Sequence, residues 1–133
     1  RKINIHGGSQ KRPNIHINDM VNAYLEVLNK PNEIVDDEIF NVGFENFTLN
    51  EIGYLVKVNI GDDVIIENQE TNDERSYHIS SEKIKSKIGF KPMFTIDNAI
   101  KDLKNAFEKN LLIDTFNDSR YFNIKMMQVT ELK

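Results

Sequence analysis

The stretch HGGSQKRPNIHINDM, residues 6–20, combines a glycine turn, a basic run, an extended piece and the start of a helix. The alternating residues 3–6 just before it predict a short strand that ends at the glycine pair. Residues 13–17 predict a second extended segment. A helix capped by Asn18 or Asp19 is predicted next, and its apolar face carries Met20, Val21, Tyr24, Val27 and Leu28. Because no helix opens directly after the glycines, the stretch is not a typical phosphate-binding loop.

Segments with strand patterns alternate with segments with helix patterns along the rest of the chain. Residues 38–43 and 63–67 predict strands, and residues 76–80 predict a short extended piece. Thr48 and Glu51 have the spacing of a capping box, which opens a helix that buries Leu49, Ile52, Leu55 and Val56. Two further helices are predicted, one over residues 80–90 and one after a cap at Thr95.

This order of elements predicts an α/β fold of short strands alternating with about four helices. We expect one domain over residues 1–109 and a C-terminal tail over residues 110–133 that packs on it. The strands are few, and four helices are hardly enough to cover both faces of a parallel sheet. The chain also begins abruptly before its first strand, so we expect it to be part of a longer protein.

Composition and charge exclude several classes of protein. The net charge of -4 gives no general attraction to nucleic acid or to an anionic membrane. There is no cysteine, so neither a disulfide framework nor a thiolate metal site is possible. No apolar run is long enough to span a membrane, and the N-terminus lacks the apolar core of a signal peptide. We expect a cytoplasmic protein.

The residues show no catalytic machinery of their own. The three histidines, His6, His16 and His78, form no ligand cluster, so we expect no metal site. The paired aspartates at 36–37 and 62–63 have the context of solvated turns. No serine lies in a G-x-S-x-G elbow, and the dinucleotide fingerprint G-x-G-x-x-G is absent. We therefore predict no catalytic residue and no cofactor-binding residue in this chain.

Two arginines stand at junctions between loops and extended segments. Arg12 follows the glycine turn beside Gln10, and Arg75 follows the polar loop 68–73. A guanidinium fork donates two parallel hydrogen bonds and so suits a diphosphate. The alternative is an ordinary surface arginine, which spacing alone favours for both residues. For Arg120, near the C-terminus, the alternative to an anion-binding role is a salt bridge that holds the tail.

Three blocks and the tail together resemble the C-terminal region of NAD-dependent epimerases and dehydratases, the nucleotide-sugar-modifying extended short-chain dehydrogenases. The first block is HGGSQKRPNIHINDMVNAYLEVL, and the second is FNVGFENFTLNEIGYLV. The third is DERSYHISSEKIKSKIGFKPMFTIDNAIKDL, and SRYFNIK resembles the tail of one subgroup. No single motif is highly specific, but the order and spacing of the blocks cover nearly the whole chain.

The resemblance implies a division of labour between two halves of a longer enzyme. In the family, an N-terminal Rossmann half binds NAD or NADP and holds a Tyr-x-x-x-Lys catalytic pair, and the C-terminal half closes over the nucleotide diphosphate. The only such spacing here is Tyr121 with Lys125, which lies in the tail and which we interpret as chance. The resemblance therefore implies a substrate-binding portion that lacks the Rossmann half, and no activity or NAD binding by this chain alone.

Position by position, the resemblance assigns four substrate-binding residues. Arg12 matches the arginine that grips the diphosphate, and Gln10 lies in the same loop. Asn46 matches an asparagine that contacts the nucleotide or phosphate in some members, and Arg75 matches a basic residue that faces the diphosphate. Many members have another arginine about five residues before the last of these, where this sequence has Glu70.

The implied partners are a nucleotide-diphosphate sugar and the missing Rossmann half, with a possible homodimer at full length and no nucleic acid or membrane. The implied activity is that of an isomerase or lyase. Base, sugar and reaction type stay open. The alternative is a free-standing nucleotide-sugar-binding or protein-interaction module without catalytic activity.

Overall fold

A computed structural model describes residues 1–73 and 75–130 and has an α/β fold. Four strands and six α-helices follow one another within these residues, and a short 3₁₀-helix at Ser119–Tyr121 precedes the last α-helix. In chain order the elements are β1 (Lys2–His6), β2 (Lys11–Asn14), α1 (Ile17–Leu28), α2 (Asn32–Val35), β3 (Glu45–Thr48), α3 (Leu49–Ile60), β4 (Ile65–Gln69), α4 (Glu82–Ile88), α5 (Ile96–Glu108) and α6 (Asn123–Val129).

The four strands form two small sheets. β1 pairs in parallel with β4, and β2 pairs antiparallel with β3, with Lys11 opposite Thr48. The helix α3 packs on the parallel pair at Gly53, where an added Cβ would lie 2.5 Å from Cδ1 of Ile5. A side chain at this position would force the Ile5 methyl group to shift, because real Cβ atoms do not come so near to another carbon.

The capping box predicted at the start of α3 is confirmed. The Thr48 hydroxyl accepts from the Glu51 backbone N–H at 3.2 Å, and the Glu51 carboxylate accepts from the Thr48 backbone N–H at 2.7 Å. These two bonds satisfy backbone donors that the first helical turn leaves without partners. The box therefore fixes where β3 ends and α3 begins.

A small apolar core joins α1 to α4. Its buried members are Ala23, Ile84, Ile88 and Phe90, and partly buried side chains pack against them, namely Ile15, Val27, Val35, Phe40 and Val42. Burial of a large aliphatic or aromatic side chain contributes roughly 1.5–3 kcal/mol each. Burial in this core therefore fixes the positions of α1 and α4, which lie before and after residues 38–43 in the chain.

The buried carboxylate of Asp19 connects α1 to the segment that leads into α5. Asp19 is 0% exposed. Its oxygens accept from the backbone N–H of Met93 at 3.0 Å and from that of Phe94 at 2.8 Å. These bonds compensate for the desolvation of the charge.

Several local predictions are wrong, beginning with the cap of α1. The helix begins at Ile17 and its N-cap is His16, whose Nδ1 accepts from the Asn18 backbone N–H at 3.2 Å, so neither Asn18 nor Asp19 is the cap. The extended segment predicted at 13–17 is replaced by β2, which lies two to three residues earlier. Ile17, the last residue of the predicted segment, is already the first residue of α1. The buried side of α1 carries Asp19 and Ala23, while three residues predicted to be buried are exposed, namely Val21, Tyr24 and Leu28.

The predicted strand at residues 38–43 is also absent. Its residues pair with no strand, and Ile39 is 82% exposed. At the end of this segment the Gly43 N–H donates to the Ser81 hydroxyl at 2.8 Å, and the Gly43 carbonyl accepts from the same hydroxyl at 2.8 Å. A side chain therefore takes the place of a neighbouring strand.

The short elements account for the other differences. The strand β3 lies between the strand predicted at 38–43 and the helix predicted after Thr48, where no element is predicted, and residues 76–80 form no regular strand. The four predicted helices are present as α1, α3, α4 and α5, and the structure adds α2 and α6. These added helices have 4 and 7 residues, too few to show a periodic pattern.

The chain divides into two compact units, Arg1–Lys101 and Asp102–Lys133. The boundary predicted at residue 109 and the packing of the tail stay predictions. Among the described residues, every helix is too short or too polar to cross a membrane.

Candidate functional site

The glycine turn after β1 is built around the side chain of Gln10. Gly7 and Gly8 have φ values of 83° and 130°, in the region that favours glycine. Gln10 is 6% exposed, and its Oε1 accepts from the Gly8 backbone N–H at 2.7 Å. A Cβ at Gly7 would overlap the Gln10 amide. The turn therefore depends on both the glycines and the glutamine.

The same turn is fixed on its other side by the start of α3. The backbone N–H of Asn50 donates to the Gly8 carbonyl at 3.0 Å, and that of Leu49 donates to the Gln10 carbonyl at 3.1 Å. The turn thus supplies acceptors for helix N-terminal donors, which otherwise have no partner within the helix. It leads directly into β2, so Arg12 starts from a fixed backbone.

Gln10 also brings the loop after β4 to this turn. Its Nε2 donates to the Asp73 carbonyl at 2.7 Å. Beyond it, the Lys11 N–H donates to the Ser76 hydroxyl at 2.9 Å, and the Tyr77 N–H donates to the Lys11 carbonyl at 3.0 Å. Asp73 and residues 75–77 therefore lie beside the turn and β2, and this places Arg75 next to Arg12.

The guanidinium of Arg12 is held from three sides. Its Nη1 donates to the carbonyls of Arg75 at 2.7 Å and of Lys11 at 2.9 Å. Its carbon Cζ lies 5.3 Å from the centroid of the Tyr77 ring, a distance at which cation and ring attract each other. Its Nη2 lies 4.0 Å from Oδ2 of Asp73, which is longer than a hydrogen bond. This nitrogen can therefore donate to another anion.

Arg75 forms a two-pronged ion pair with Asp73. Its Nε donates to Oδ1 at 2.7 Å and its Nη2 donates to Oδ2 at 2.9 Å. Hydrogen bonds from Arg75 lower the pKa of the Asp73 carboxyl to about 2, and the charge of Arg12 adds a smaller part. The same pair raises the pKa of Arg75. We call Arg12, Asp73 and Arg75 the arginine–aspartate cluster.

Asn46 is occupied by a backbone interaction. Its Oδ1 accepts from the Ile79 N–H at 3.1 Å and its Nδ2 donates to the Ile79 carbonyl at 3.2 Å. The amide thereby pairs with Ile79 as a neighbouring strand would. Of the four predicted site residues, the structure joins Arg12, Arg75 and Gln10 through Asp73, and it places Asn46 on the neighbouring contact to Ile79.

Two residues of this site were not identified from the sequence. Asp73 binds Arg75 and Tyr77 faces Arg12, and neither was predicted. The Asp-x-Arg spacing of residues 73–75 is a local signal for an ion pair. The contact with Tyr77 depends on the hydrogen bonds of Ser76 and Tyr77 with Lys11 of β2, which no local pattern shows.

A cavity of about 570 Å³ adjoins the cluster. Asp73 and Glu70 line this cavity and neither cluster arginine does; the other lining residues are Gly7, Ser9, Gln10, Thr71, Asn72 and Ser76. A second cavity, of about 480 Å³, is lined by Gly43, Phe44, His78, Ile79, Ser80, Ser81, Glu82, Lys85, Phe90, Lys91 and Pro92. The cluster arginines therefore lie at a surface beside the first cavity, not in its wall.

The glycine turn does not have the form of a dinucleotide site. Such a site presents free backbone N–H groups at the start of a helix. Here Gly8 donates its N–H to Gln10, and β2 follows instead of a helix. The residues of this turn therefore do not fit the pyrophosphate of NAD or NADP.

The tail pair with catalytic spacing is divided between two elements. Tyr121 ends the 3₁₀-helix, and Lys125 lies in α6 with its ammonium 4.1 Å from the centroid of the Phe122 ring. Three or more metal-ligating side chains come together nowhere in residues 1–73 and 75–130.

Comparisons with known proteins agree with the resemblance. Residues 2–43 match the sequence model of the NAD dependent epimerase/dehydratase family. A search of curated proteins found no match. UDP-glucose 4-epimerase from Thermotoga maritima, solved with UDP-glucose, is similar with 27% identity and a TM-score of 0.69, over 84% of this chain and 36% of that chain.

Two further solved structures share the fold at lower identity. UDP-glucuronic acid 4-epimerase from Bacillus cereus, in complex with UDP-glucuronic acid and NAD, has 13% identity and a TM-score of 0.71, over 83% of this chain and 36% of that chain. L-threonine dehydrogenase from Phytophthora infestans has 15% identity and a TM-score of 0.72, over 82% and 37%. The predicted α/β fold and family resemblance are confirmed, and the chain spans little more than a third of these structures.

Proposed function

We propose that this chain, whose residues 2–43 match the NAD dependent epimerase/dehydratase family, is the substrate-binding portion of a nucleotide-sugar epimerase or dehydratase. In this proposal Arg12 grips the nucleotide diphosphate and Arg75 assists it. The observation that carries the proposal is the arginine–aspartate cluster beside a cavity, in which Arg75 is paired with Asp73 and the Arg12 guanidinium lies 4.0 Å from the same carboxylate.

The setting of Arg12 suits an anion-binding side chain. Two carbonyls and the Tyr77 ring fix the guanidinium before any ligand arrives, so binding costs little side-chain entropy. Its Nη2 stays available for a phosphate oxygen. The Thermotoga maritima epimerase, at 27% identity, was solved with UDP-glucose, which contains such a diphosphate.

Gln10 and Asn46 have a supporting part in this proposal. Gln10 is buried and holds the loop that carries Arg75 against the turn that carries Arg12. Asn46 holds the backbone of Ile79, two residues beyond Tyr77. Both side chains therefore hold the backbone near the two arginines in place. We expect substitution of either side chain to weaken ligand binding by letting this backbone move.

Hydride transfer belongs to a part of the enzyme outside this sequence. We propose that NAD or NADP binds to a Rossmann half, because the glycine turn here does not fit a pyrophosphate. The parallel pair of β1 and β4 supports a larger sheet, since two-stranded parallel sheets seldom stand alone. Diphosphate binding here would position the sugar for chemistry at a remote carbon. The cytoplasmic location and the homodimer stay predictions.

Calorimetric titration of the chain with UDP-, dTDP-, GDP- and CDP-sugars tests the proposal. Loss of a hydrogen-bonded charged contact costs about 1.5–3 kcal/mol, so Arg12→Ala should weaken binding by about 10- to 100-fold. Arg120→Ala is the control, because Arg120 is an exposed arginine whose ion pair is with Asp118, outside the arginine–aspartate cluster. Equal affinities of Arg12→Ala and the unchanged chain would refute the role of Arg12.

A further inference from the structure

We propose that Asp73 is an internal competitor: its carboxylate occupies the Nε–Nη2 edge of Arg75, and a diphosphate that binds Arg12 together with this edge must displace it. This inference rests on the proposed function of Arg12. It assigns to Asp73 a part in setting affinity, through its carboxylate.

The geometry shows why the carboxylate and a phosphate compete. Asp73 uses both Nε and Nη2 of Arg75 at 2.7 and 2.9 Å, and these form one two-pronged edge of the guanidinium. A phosphate that binds the same edge must replace the carboxylate, because one edge serves one two-pronged anion. Oδ2 of Asp73 also lies 4.0 Å from Nη2 of Arg12, so the carboxylate faces both arginines.

The charge of Asp73 persists under ordinary conditions. The pKa of its carboxyl is lowered to about 2 by hydrogen bonds from Arg75. The carboxylate is therefore ionised at neutral pH and repels a phosphate that approaches either arginine. Glu70, in the wall of the adjoining cavity, adds a second negative charge in the same loop.

The negative charge of Asp73 can be removed without breaking the backbone hydrogen bonds that anchor its loop. The bond that ties the loop to Gln10 uses the backbone carbonyl of Asp73, and the Asp73 N–H donates to the Thr71 hydroxyl at 3.1 Å. Both bonds remain when the side chain becomes an uncharged amide. Asp73→Asn is therefore a variant that keeps the loop anchored and weakens the hold on Arg75.

The chain contains a matched control in Asp118 and Arg120. The backbone N–H of Arg120 donates to Asp118 at 2.9 Å, and its Nε and Nη2 donate to the same carboxylate at 2.8 and 2.6 Å. The side chains of Arg75 and Arg120 are 73% and 74% exposed. The two ion pairs therefore share the spacing of two residues and the exposure of the arginine, although Arg120 binds one oxygen of its aspartate and Arg75 binds both. Of the two aspartates, Asp73 is the one that faces Arg12.

The experiment is a calorimetric titration of the whole chain with UDP, comparing the unchanged protein, Asp73→Asn, Asp118→Asn and Arg12→Ala. An exposed ion pair is worth about 0.2–1 kcal/mol, so its removal should tighten binding by up to about five-fold in Asp73→Asn. Asp118→Asn should leave the affinity unchanged. Tighter binding by Asp73→Asn, together with weaker binding by Arg12→Ala and unchanged binding by Asp118→Asn, supports the inference.

The outcomes separate this inference from the proposed function. If UDP binding depends on Arg12 but Asp73→Asn binds equally or more weakly, the competitor role is wrong and the proposed function stands. If no variant binds UDP, both are wrong.

Nitrogen NMR of the arginine Nε–H groups gives a second readout in the unchanged protein, independent of the Asp73 variant. The Arg75 signal should move on UDP addition and the Arg120 signal should not. An Arg75 signal that stays in place while UDP binds would show that Asp73 is not displaced.

Discussion

Replacement of Asp19 by alanine should destabilise the protein strongly. Asp19 is 0% exposed and accepts from the backbone N–H groups of Met93 and Phe94 at 2.8–3.0 Å. Alanine leaves both donors without the carboxylate. Asp19 also lies in the first turn of α1, where a negative charge is favourable. The change therefore removes the connection between α1 and the segment before α5.

The expected loss follows from three contributions. Each hydrogen bond to a charged group is worth about 1.5–3 kcal/mol, and the first-turn charge adds about 0.3–1 kcal/mol. Relief from burying a charge offsets several kcal/mol of this sum. We expect a net loss of about 2–4 kcal/mol in the free energy of unfolding, which lowers the melting temperature by roughly 6–16 °C in a chain of this length.

Urea unfolding followed by circular dichroism measures this loss. Asp19→Asn should fall between Asp19→Ala and the unchanged protein, because one amide oxygen still accepts while the amide nitrogen cannot. The control is Asp62→Ala at an exposed turn position, which should change the free energy by at most about 0.5 kcal/mol. An Asp19→Ala protein as stable as Asp62→Ala would refute the reasoning.

Three further changes test the fold. Gly53→Ala should cost up to about 2 kcal/mol net in urea unfolding, because the shift forced on Ile5 Cδ1 costs about 1–3 kcal/mol and the better helix propensity of alanine offsets about 1 kcal/mol; a protein stabilised by about 1 kcal/mol, as helix propensity alone predicts, would contradict this close packing. Thr48→Ala should cost about 0.5–2 kcal/mol through loss of the capping box, and helix content at 222 nm checks it; Thr48→Ser should retain most of the stability. Glu38 has a pKa lowered to about 2 from 4.5 by hydrogen bonds from two lysines of α4. Its stabilisation is therefore complete above about pH 4.5 and disappears toward pH 2, so Glu38→Gln should lower the melting temperature at pH 6 and not at pH 2; equal effects at both pH values would contradict the ion pairs.

Local chemistry explains which parts of the fold follow from sequence. The capping box needs only Thr48 and Glu51, three positions apart, so the pattern itself contains the interaction. The predicted strand at 38–43 fails because its partner is the Ser81 side chain, 38 positions from Gly43. The apolar pattern of a segment does not show whether its backbone bonds to a neighbouring strand or to the hydroxyl of a distant side chain.

In the candidate site, too, the sequence shows local features but not contacts between distant residues. The two arginines stand out in the sequence by residue type and by resemblance, but their contact joins residues 63 positions apart. That contact depends on the buried Gln10 amide, which reaches the Asp73 carbonyl across the same distance. Gln10 was predicted as a ligand because it lies beside Arg12, and only the fold shows that its amide is used internally.

A crystal structure of the chain with UDP-glucose tests the central claim most directly. We predict that diphosphate oxygens lie within about 2.7–2.9 Å of the guanidinium nitrogens of Arg12, the usual length of such charged hydrogen bonds. A ligand bound instead in the cavity lined by His78, Lys85 and Lys91, with Arg12 bonded only to its present partners, would contradict the claim.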